Sequence, residues 1–318
     1  MHPVLKLISQ RLALGVLLLV AASVLIFVGT MILPGDVAQS ILGQSATPQS
    51  LANLRVELGL SDPPATRYFS WLFGALHGDL GHALTNGADI ADSLGKRLGN
   101  TLFLAASAAI VSVPLAIFLG LLAVRYQGCW PDRLISAVTL TSISIPEFLI
   151  GYVLMFVFGV KLGWFPSVAV INNNMSFLHK LDAIALPVAA LTLVVLAHMM
   201  RMTRAAILNV MQSAYIETAE LKGLSMFDVI RKHALPNAIA PIVNVVMLNL
   251  AYLVVGVVVI EVVFVYPGMG QYLVDHVAKR DVPVVQACGL IFAAVYIGLN
   301  MVADIVSILA NPRLRHPK

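Results

Sequence analysis

Three carboxylates stand within or at the ends of long apolar stretches: Glu147, Glu261 and Asp304. Moving a carboxylate from water into hydrocarbon is expensive, so an ionisable group there is by default part of a substrate, ion or proton path. Glu147 follows Pro146 near the middle of its stretch. Its carboxylate either points into a cavity or bonds backbone groups that the proline frees. Glu261 and Asp304 fall near opposite ends of their own stretches. None of the three has an evident basic partner in a span. Glu147 and Glu261 are therefore the candidate pathway residues, although Glu261 is too close to the end of its stretch to serve as a proton relay.

A second polar feature is the segment Ala214–Pro241, "AYIETAELKGLSMFDVIRKHALPNAIAP". Its charged residues are Glu217, Glu220, Lys222, Asp228, Arg231 and Lys232, in a chain that is only 11% charged. The local grammar is helix, glycine, helix. Ala214 to Lys222 are good or neutral helix formers, and Gly223 suits the left-handed position that ends a helix. Ser225 can cap the next helix, with Asp228 three residues on. Arg231, Lys232 and His233 crowd its last turn, where cations complement the dipole, and Pro236 is expected to stop it. Ala219 and Gly223 share one face, and both are small enough to let another protein approach closely. A DNA-reading helix-turn-helix would need a broader basic surface than this single turn. An amphipathic pair resting on the bilayer is the plainer alternative.

Other chemistry is missing from the sequence. Cys129 and Cys288 form neither a disulfide framework nor a metal-ligand spacing. No phosphate-binding loop occurs; "DSLGKR" at Asp92–Arg97 lacks the upstream glycine and the Ser/Thr. H-E-x-x-H and G-x-S-x-G are absent.

The elements that must position these residues follow from composition. The chain has 318 residues, 59% of them hydrophobic, and a mean hydropathy of +0.89. Soluble domains are nearer 45–50% apolar and about 25% charged. The solvent for much of this chain is lipid, where a spanning helix needs about 20 apolar residues. Six stretches qualify: Leu12–Leu33, Thr101–Val124, Leu134–Val160, Ile184–Met200, Ile239–Val265 and Val284–Ala310. The first is too long for the apolar core of a signal peptide and is expected to be kept. The third carries Pro146 and is expected to be kinked or tilted. The expected organisation is an N-terminal transmembrane helix at 1–33, a periplasmic segment at 34–100, and a five-helix core at 101–318 with a cytoplasmic elbow at 213–236.

Lys and Arg set the orientation. Lys6, Arg11, Arg125, Arg133, Arg201, Arg204, Lys222, Arg231, Lys232, Arg313, Arg315 and Lys318 fall on one side. Arg55, Arg67, Lys96, Arg97, Lys161, Lys180, Lys279 and Arg280 fall on the other, diluted over longer segments. The first side, with both termini and the elbow, is therefore expected in the cytoplasm. The net charge of +4 follows from this bias and requires no nucleic-acid partner. In the outer segment, Leu51, Leu54, Leu58 and Leu60 suggest one short amphipathic helix before Pro63-Pro64. Tyr68, Phe69, Trp71, Leu72 and Leu76 suggest another after it. Such aromatic clusters favour the membrane interface. The segment is read either as a cap on the helix ends or as part of an opening for a substrate delivered from outside.

The elbow resembles the cytoplasmic signature of binding-protein-dependent ABC importer permeases, Glu-Ala-Ala, three residues, Gly, nine residues, Ile, one residue, Leu-Pro. Here it reads Glu217-Thr218-Ala219, Gly223, His233 and Leu235-Pro236. Thr replaces the second position and His stands where Ile is commonest, with the spacing intact. The resemblance covers nearly the whole chain and is closest to the dipeptide/oligopeptide/nickel permeases. "LPGD", "LGLSDPP" and "GDLG", which contains Asp79 and Gly81, resemble that family's outer segment. "SIPEF", "LGWFPS", "RMTRAAILNVMQSAYIETAELKG" and "IEVVFVYPGMGQYLVDHVAKRDVPVVQ" match its later parts, as does "NMVADIVSILANPRLR", with Asn311 where Asp is usual.

The resemblance implies an all-α polytopic membrane protein with the type I ABC importer permease fold. It implies a bacterial inner-membrane importer of di- or oligopeptides, with nickel complexes, glutathione or opines as alternatives. The implied partners are a second homologous permease in a heterodimer, two ABC ATPases that bind ATP and Mg, and a periplasmic binding protein. This chain itself would bind no cofactor. Glu217, Thr218, Ala219, Gly223, Leu235 and Pro236 would form the ATPase-coupling site. An ion-coupled carrier should show inverted repeats, and a membrane enzyme should group acid and base at one depth. Neither pattern is visible.

Overall fold

A computed structural model describes residues 3–32, 37–42, 46–57, 62–172 and 174–310. Leu33–Asp36, Leu58, Leu60 and Asn311 to Lys318, on which several expectations fall, lie outside the described residues. Among the described residues the chain is helical, with no strand beyond one isolated bridge between His82 and Asp89. In chain order the helices are α1 (Pro3–Ile32), α2 (Val37–Leu42), α3 (Pro48–Glu57), α4 (Pro64–Leu76), α5 (Ile90–Arg125), α6 (Trp130–Ser144) and α7 (Glu147–Leu154). They continue as α8 (Phe177–Ala183), α9 (Ala185–Met211), α10 (Ala214–Leu221), α11 (Met226–Asp228), α12 (Leu235–Val263), α13 (Met269–Ala278) and α14 (Val282–Ala310). Two π-helical segments, Met155–Lys161 and Val229–Ala234, extend α7 and join α11 to α12.

Five of these segments are long and apolar enough to cross a membrane: Leu7–Ile32, Ile90–Arg125, Ala185–Met211, Met226–Val263 and Val282–Val306. The expected third span is not one kinked helix. It is a pair, Trp130–Ser144 and Glu147–Lys161, meeting at 104°. Pro146 has no N–H to give and biases Ile145 away from the helical region. Ile145 is accordingly extended, with φ −93° and ψ 129°. Thr141, Ser142 and Ser144 each donate a hydroxyl to the carbonyl four residues back, which loosens the end of α6 further. The expected boundary at 101 falls inside α5, which runs unbroken from Ile90. The fourth span also outlasts its expected end at Met200, because "RMTRAAILNVM" continues the helix.

The bundle centres on α9, which packs against α5 and α12. Membrane helices gain little from apolar burial alone and approach through small residues. Ala105, Ala108, Ser112, Ala116, Gly120 and Ala123 repeat every three or four positions on α5 and are buried there. A Cβ on Gly120 would stand 3.0 Å from the Thr203 methyl of α9, so the two helices touch closely. α14 packs on α12, and α1 packs on α14 at the margin. Val16, Leu17 and Leu25 of α1 face outward, a surface suited to lipid. At one end of this pair Arg11 bonds Asp304 at 3.0 Å; at the other Gln286 donates to Thr30 at 2.7 Å. Asp304 thus has the basic partner that the sequence did not reveal.

The expected aromatic helix is α4. Tyr68 meets Phe27 of α1 edge-on and Trp71 lies tilted against it, and the Tyr68 hydroxyl meets Ser23 at 2.8 Å. Phe69, Phe73 and Leu76 remain exposed on its other face.

Candidate functional site

The polar elbow lies at the end of the bundle where α5 and α9 finish and α12 begins. α10 ends as expected: Gly223 has φ +79°, its N–H bonds the Glu220 carbonyl at 2.8 Å, and Leu224 N–H reaches back to Ala219 at 3.4 Å. A residue with a side chain is disfavoured at that φ. Ser225 then caps the next helix, accepting from Asp228 N–H at 3.2 Å and donating to the Asp228 carboxylate at 2.8 Å.

Two expectations about the elbow are corrected. Pro236 does not stop a helix; the chain runs from α11 through the π-helical turn directly into α12. The wider π turn, in which Leu235 N–H bonds Ile230, accommodates a residue without an N–H at the start of α12. The Asn237 side-chain amide donates to the His233 carbonyl at 2.8 Å. Ala219, expected on the contact face with Gly223, is buried inside the chain. It packs with Ile216, Val229, Ile230, Ala234 and Ala238, so its small size serves the fold of the elbow itself. The outward surface includes Glu217, Thr218, Glu220, Leu221, Lys222, Gly223, Leu224, Met226 and Phe227. A Cβ at Gly223 would meet nothing within 4 Å. Leu235 is half-buried and Pro236 exposed at the base of the elbow.

Glu147 opens α7 at the break. Its Oε1 accepts the Tyr252 hydroxyl of α12 at 2.6 Å, and no other hydrogen bond or ion pair to it occurs among the described residues. The α7 dipole favours a carboxylate here by only about 0.3–1 kcal/mol. Placing a charge at the centre of a span costs about 3 kcal/mol. The carboxylate borders a cavity of 360 Å³ between the break, α9 and α12, with Ser142, Ser144, Val194 and His198 on its walls.

Glu261, expected on the pathway beside Glu147, is instead sealed in packing and wholly buried. Oε1 accepts the Thr101 hydroxyl at 2.6 Å; Oε2 accepts the N–H groups of Gly270 at 2.7 Å and Gln271 at 3.1 Å. Thr101 in turn accepts Met269 N–H at 2.8 Å. The carboxylate therefore ties the turn between α12 and α13 to the start of α5. A Cβ on Gly268 would overlap it. Nearby, the Tyr266 hydroxyl donates to the Asn100 carbonyl at 2.8 Å, and Asn100 donates to the Pro267 carbonyl at 2.9 Å. Burial first, and the Glu261 charge second, push the Tyr266 pKa up, which keeps its hydroxyl a neutral donor. Arg97 lies over the Tyr272 ring at 4.3 Å.

Asp79 and Gly81 shape the outer segment. Asp79 accepts Gly81 N–H at 2.9 Å, and the Gly81 carbonyl accepts Ile90 N–H at the start of α5. That segment is then pinned by a residue the sequence did not single out. Buried Asp281, between α13 and α14, accepts the N–H groups of Leu84 and Thr85 and the Thr85 hydroxyl at 2.9–3.1 Å. Asp132 is a second such residue. It takes both Nε and Nη2 of Arg204 at 3.0 and 2.9 Å, joining α6 to α9. No local spacing marks these partners, which are 72 to 197 positions apart.

Residues 112–316 match the family described as binding-protein-dependent transport system inner membrane component, and residues 4–105 match its N-terminal companion family. A Brucella abortus protein named as a peptide transport system permease is 34% identical over 98% of this chain and 99% of its own length. A Sinorhizobium fredii protein named as a peptide ABC transporter permease is 33% identical over 97% and 99%. The Escherichia coli K12 glutathione transport system permease GsiC is 36% identical over 92% and 94%.

Proposed function

The chain belongs to the binding-protein-dependent transport system inner membrane components, and from that premise we propose that it conducts short peptides. It is a multi-pass permease of an ABC importer, a transport component of the membrane. In the proposed assembly it pairs with a second, similar permease above two ATPases, which bind ATP and Mg. A periplasmic binding protein delivers di- or oligopeptides to the outer face. Two of the relatives are named for peptides and one for glutathione, itself a modified tripeptide, so glutathione is the second reading.

The observation that carries the mechanism is the exposed elbow. Its outward face exposes Leu221, Leu224 and Met226, with Phe227 beneath Arg125 and Arg231. α10 follows α9 after a short turn at Gln212–Ser213, and the second arm runs without a break into α12. An ATPase gripping α10 and Gly223 would pull directly on the two helices that wall the Glu147 cavity. Glu217, Thr218 and Gly223 make the contact in this reading, while Ala219, Leu235 and Pro236 hold the elbow's shape.

Gly223→Asp tests it. The turn penalty is about 1 kcal/mol or somewhat more, too little to unfold the bundle. The added Cβ meets no atom of this chain within 4 Å. The variant is expected to insert and pair with the second permease, yet to lose co-purification of the ATPases or to hydrolyse ATP without uptake in proteoliposomes. Wild-type levels of both would return the elbow to a membrane-surface role.

A further inference from the structure

We infer that the cavity at the α6–α7 break is a substrate subsite for a primary ammonium group, with Glu147 as its counter-charge; this rests on the permease reading above. The half-buried carboxylate borders a cavity of 360 Å³ lined by residues of α6, α7, α9 and α12 of this chain. That volume suits the end of a small ligand. Its Oε2 has no partner among the described residues, and no Lys or Arg lines the cavity.

The walls are rich in acceptors. Tyr252 directs its proton to Glu147 Oε1 and so turns lone pairs outward. Ser142 and Ser144 likewise direct their protons to Val138 and Leu140 of their own helix. The final carbonyls of α6 have no following turn to bond them, and that helix end carries partial negative charge. Only His198 can take on positive charge within the lining, and it makes no ion pair with Glu147. An ammonium group brings three donors and no acceptor, which complements this set. Peptides and glutathione both carry one. Val194 and His198 stand on α9 and Tyr252 on α12, the two helices that lead into the elbow. Movement of the elbow would therefore widen or close this subsite.

The test uses the assembled transporter in proteoliposomes, with its binding protein and ATP, and radiolabelled Ala-Ala, tri-alanine and glutathione as probes. Glu147→Gln is expected to lower the maximal uptake rate at least about tenfold, the loss of one charge-assisted hydrogen bond. Glu147→Asp should recover a good part of it. Co-purification of the second permease and of the ATPases should stay unchanged in both variants. Uptake by Glu147→Gln at the wild-type rate overturns the inference alone. So does loss of the second permease from the Glu147→Gln complex, which would mean that the carboxylate pairs with a cation of that subunit. If the wild type imports none of the three probes, the peptide reading and this inference fall together.

Discussion

A carboxylate that makes no ion pair persists in a span when enough N–H and O–H groups converge on it. Glu261 has three such donors, from Thr101, Gly270 and Gln271. Removing the acceptor in Glu261→Ala strands all three in a buried site, at about 1–3 kcal/mol each. Gly268 is constrained by space and not by its backbone, whose φ of −94° any residue adopts. Gly268→Ala would drive a methyl group into the Glu261 carboxylate. Overpacking of this kind costs about 1–3 kcal/mol. Both variants are expected to lower the thermal midpoint and the monodisperse yield of the detergent-solubilised complex, Glu261→Ala more than Gly268→Ala. An unchanged midpoint for Glu261→Ala would mean that the turn between α12 and α13 is held by something else. The sequence marked Glu261 through its cost in hydrocarbon, but burial alone does not say how a charge is satisfied. Its partners come from residues 160 positions upstream and 9 and 10 downstream.

Elements in this bundle are joined at their ends by polar clasps. Asp132 at the start of α6 accepts the fork of Arg204 near the end of α9 and also Gly128 N–H at 3.0 Å. This clasp sets where α6 leaves the bundle, and hence where the 104° break presents Glu147. Asp132→Ala is expected to cost about 2 kcal/mol, the worth of a charge-assisted pair. Arg204→Lys should lose part of that, because an ammonium cannot match the two-pronged geometry. The double variant should be less destabilised than the sum of the singles. Additive losses in thermal unfolding of the complex would deny the pairing. A proline in the apolar run made the interruption legible in the sequence. The angle was not, since it depends on how α6 and α7 each pack against α9. The same holds for Pro236. Local rules read it as a stop, whereas the π turn before it lets the elbow and α12 run on as one rod.

At the scale of the whole molecule, α5, α9 and α14 run toward the elbow end and α12 away from it, while Arg11 near the start of α1 pairs with Asp304 near the end of α14, so that Pro3 and Ala310, the ends of the described chain, lie on the elbow's side. With the Lys/Arg bias, this predicts both termini and the elbow in the cytoplasm. Reporter fusions after Gly81, Asn172 and Met269 should read as external, and a cytoplasmic signal at any of them would break the assignment. Composition and length alone determined that the chain is helical and crosses a membrane repeatedly, because hydrocarbon leaves few other ways to satisfy a backbone. The glycine turn and serine cap of the elbow were equally legible, being settled within a few residues. Only the tertiary structure decided which acids are clasped by several partners and which keeps an open oxygen. It buried Glu261 and Ala219, paired Asp304 with Arg11, and left Glu147 facing a cavity. Those outcomes depend on which helices meet, and that is set by packing between residues far apart in the chain.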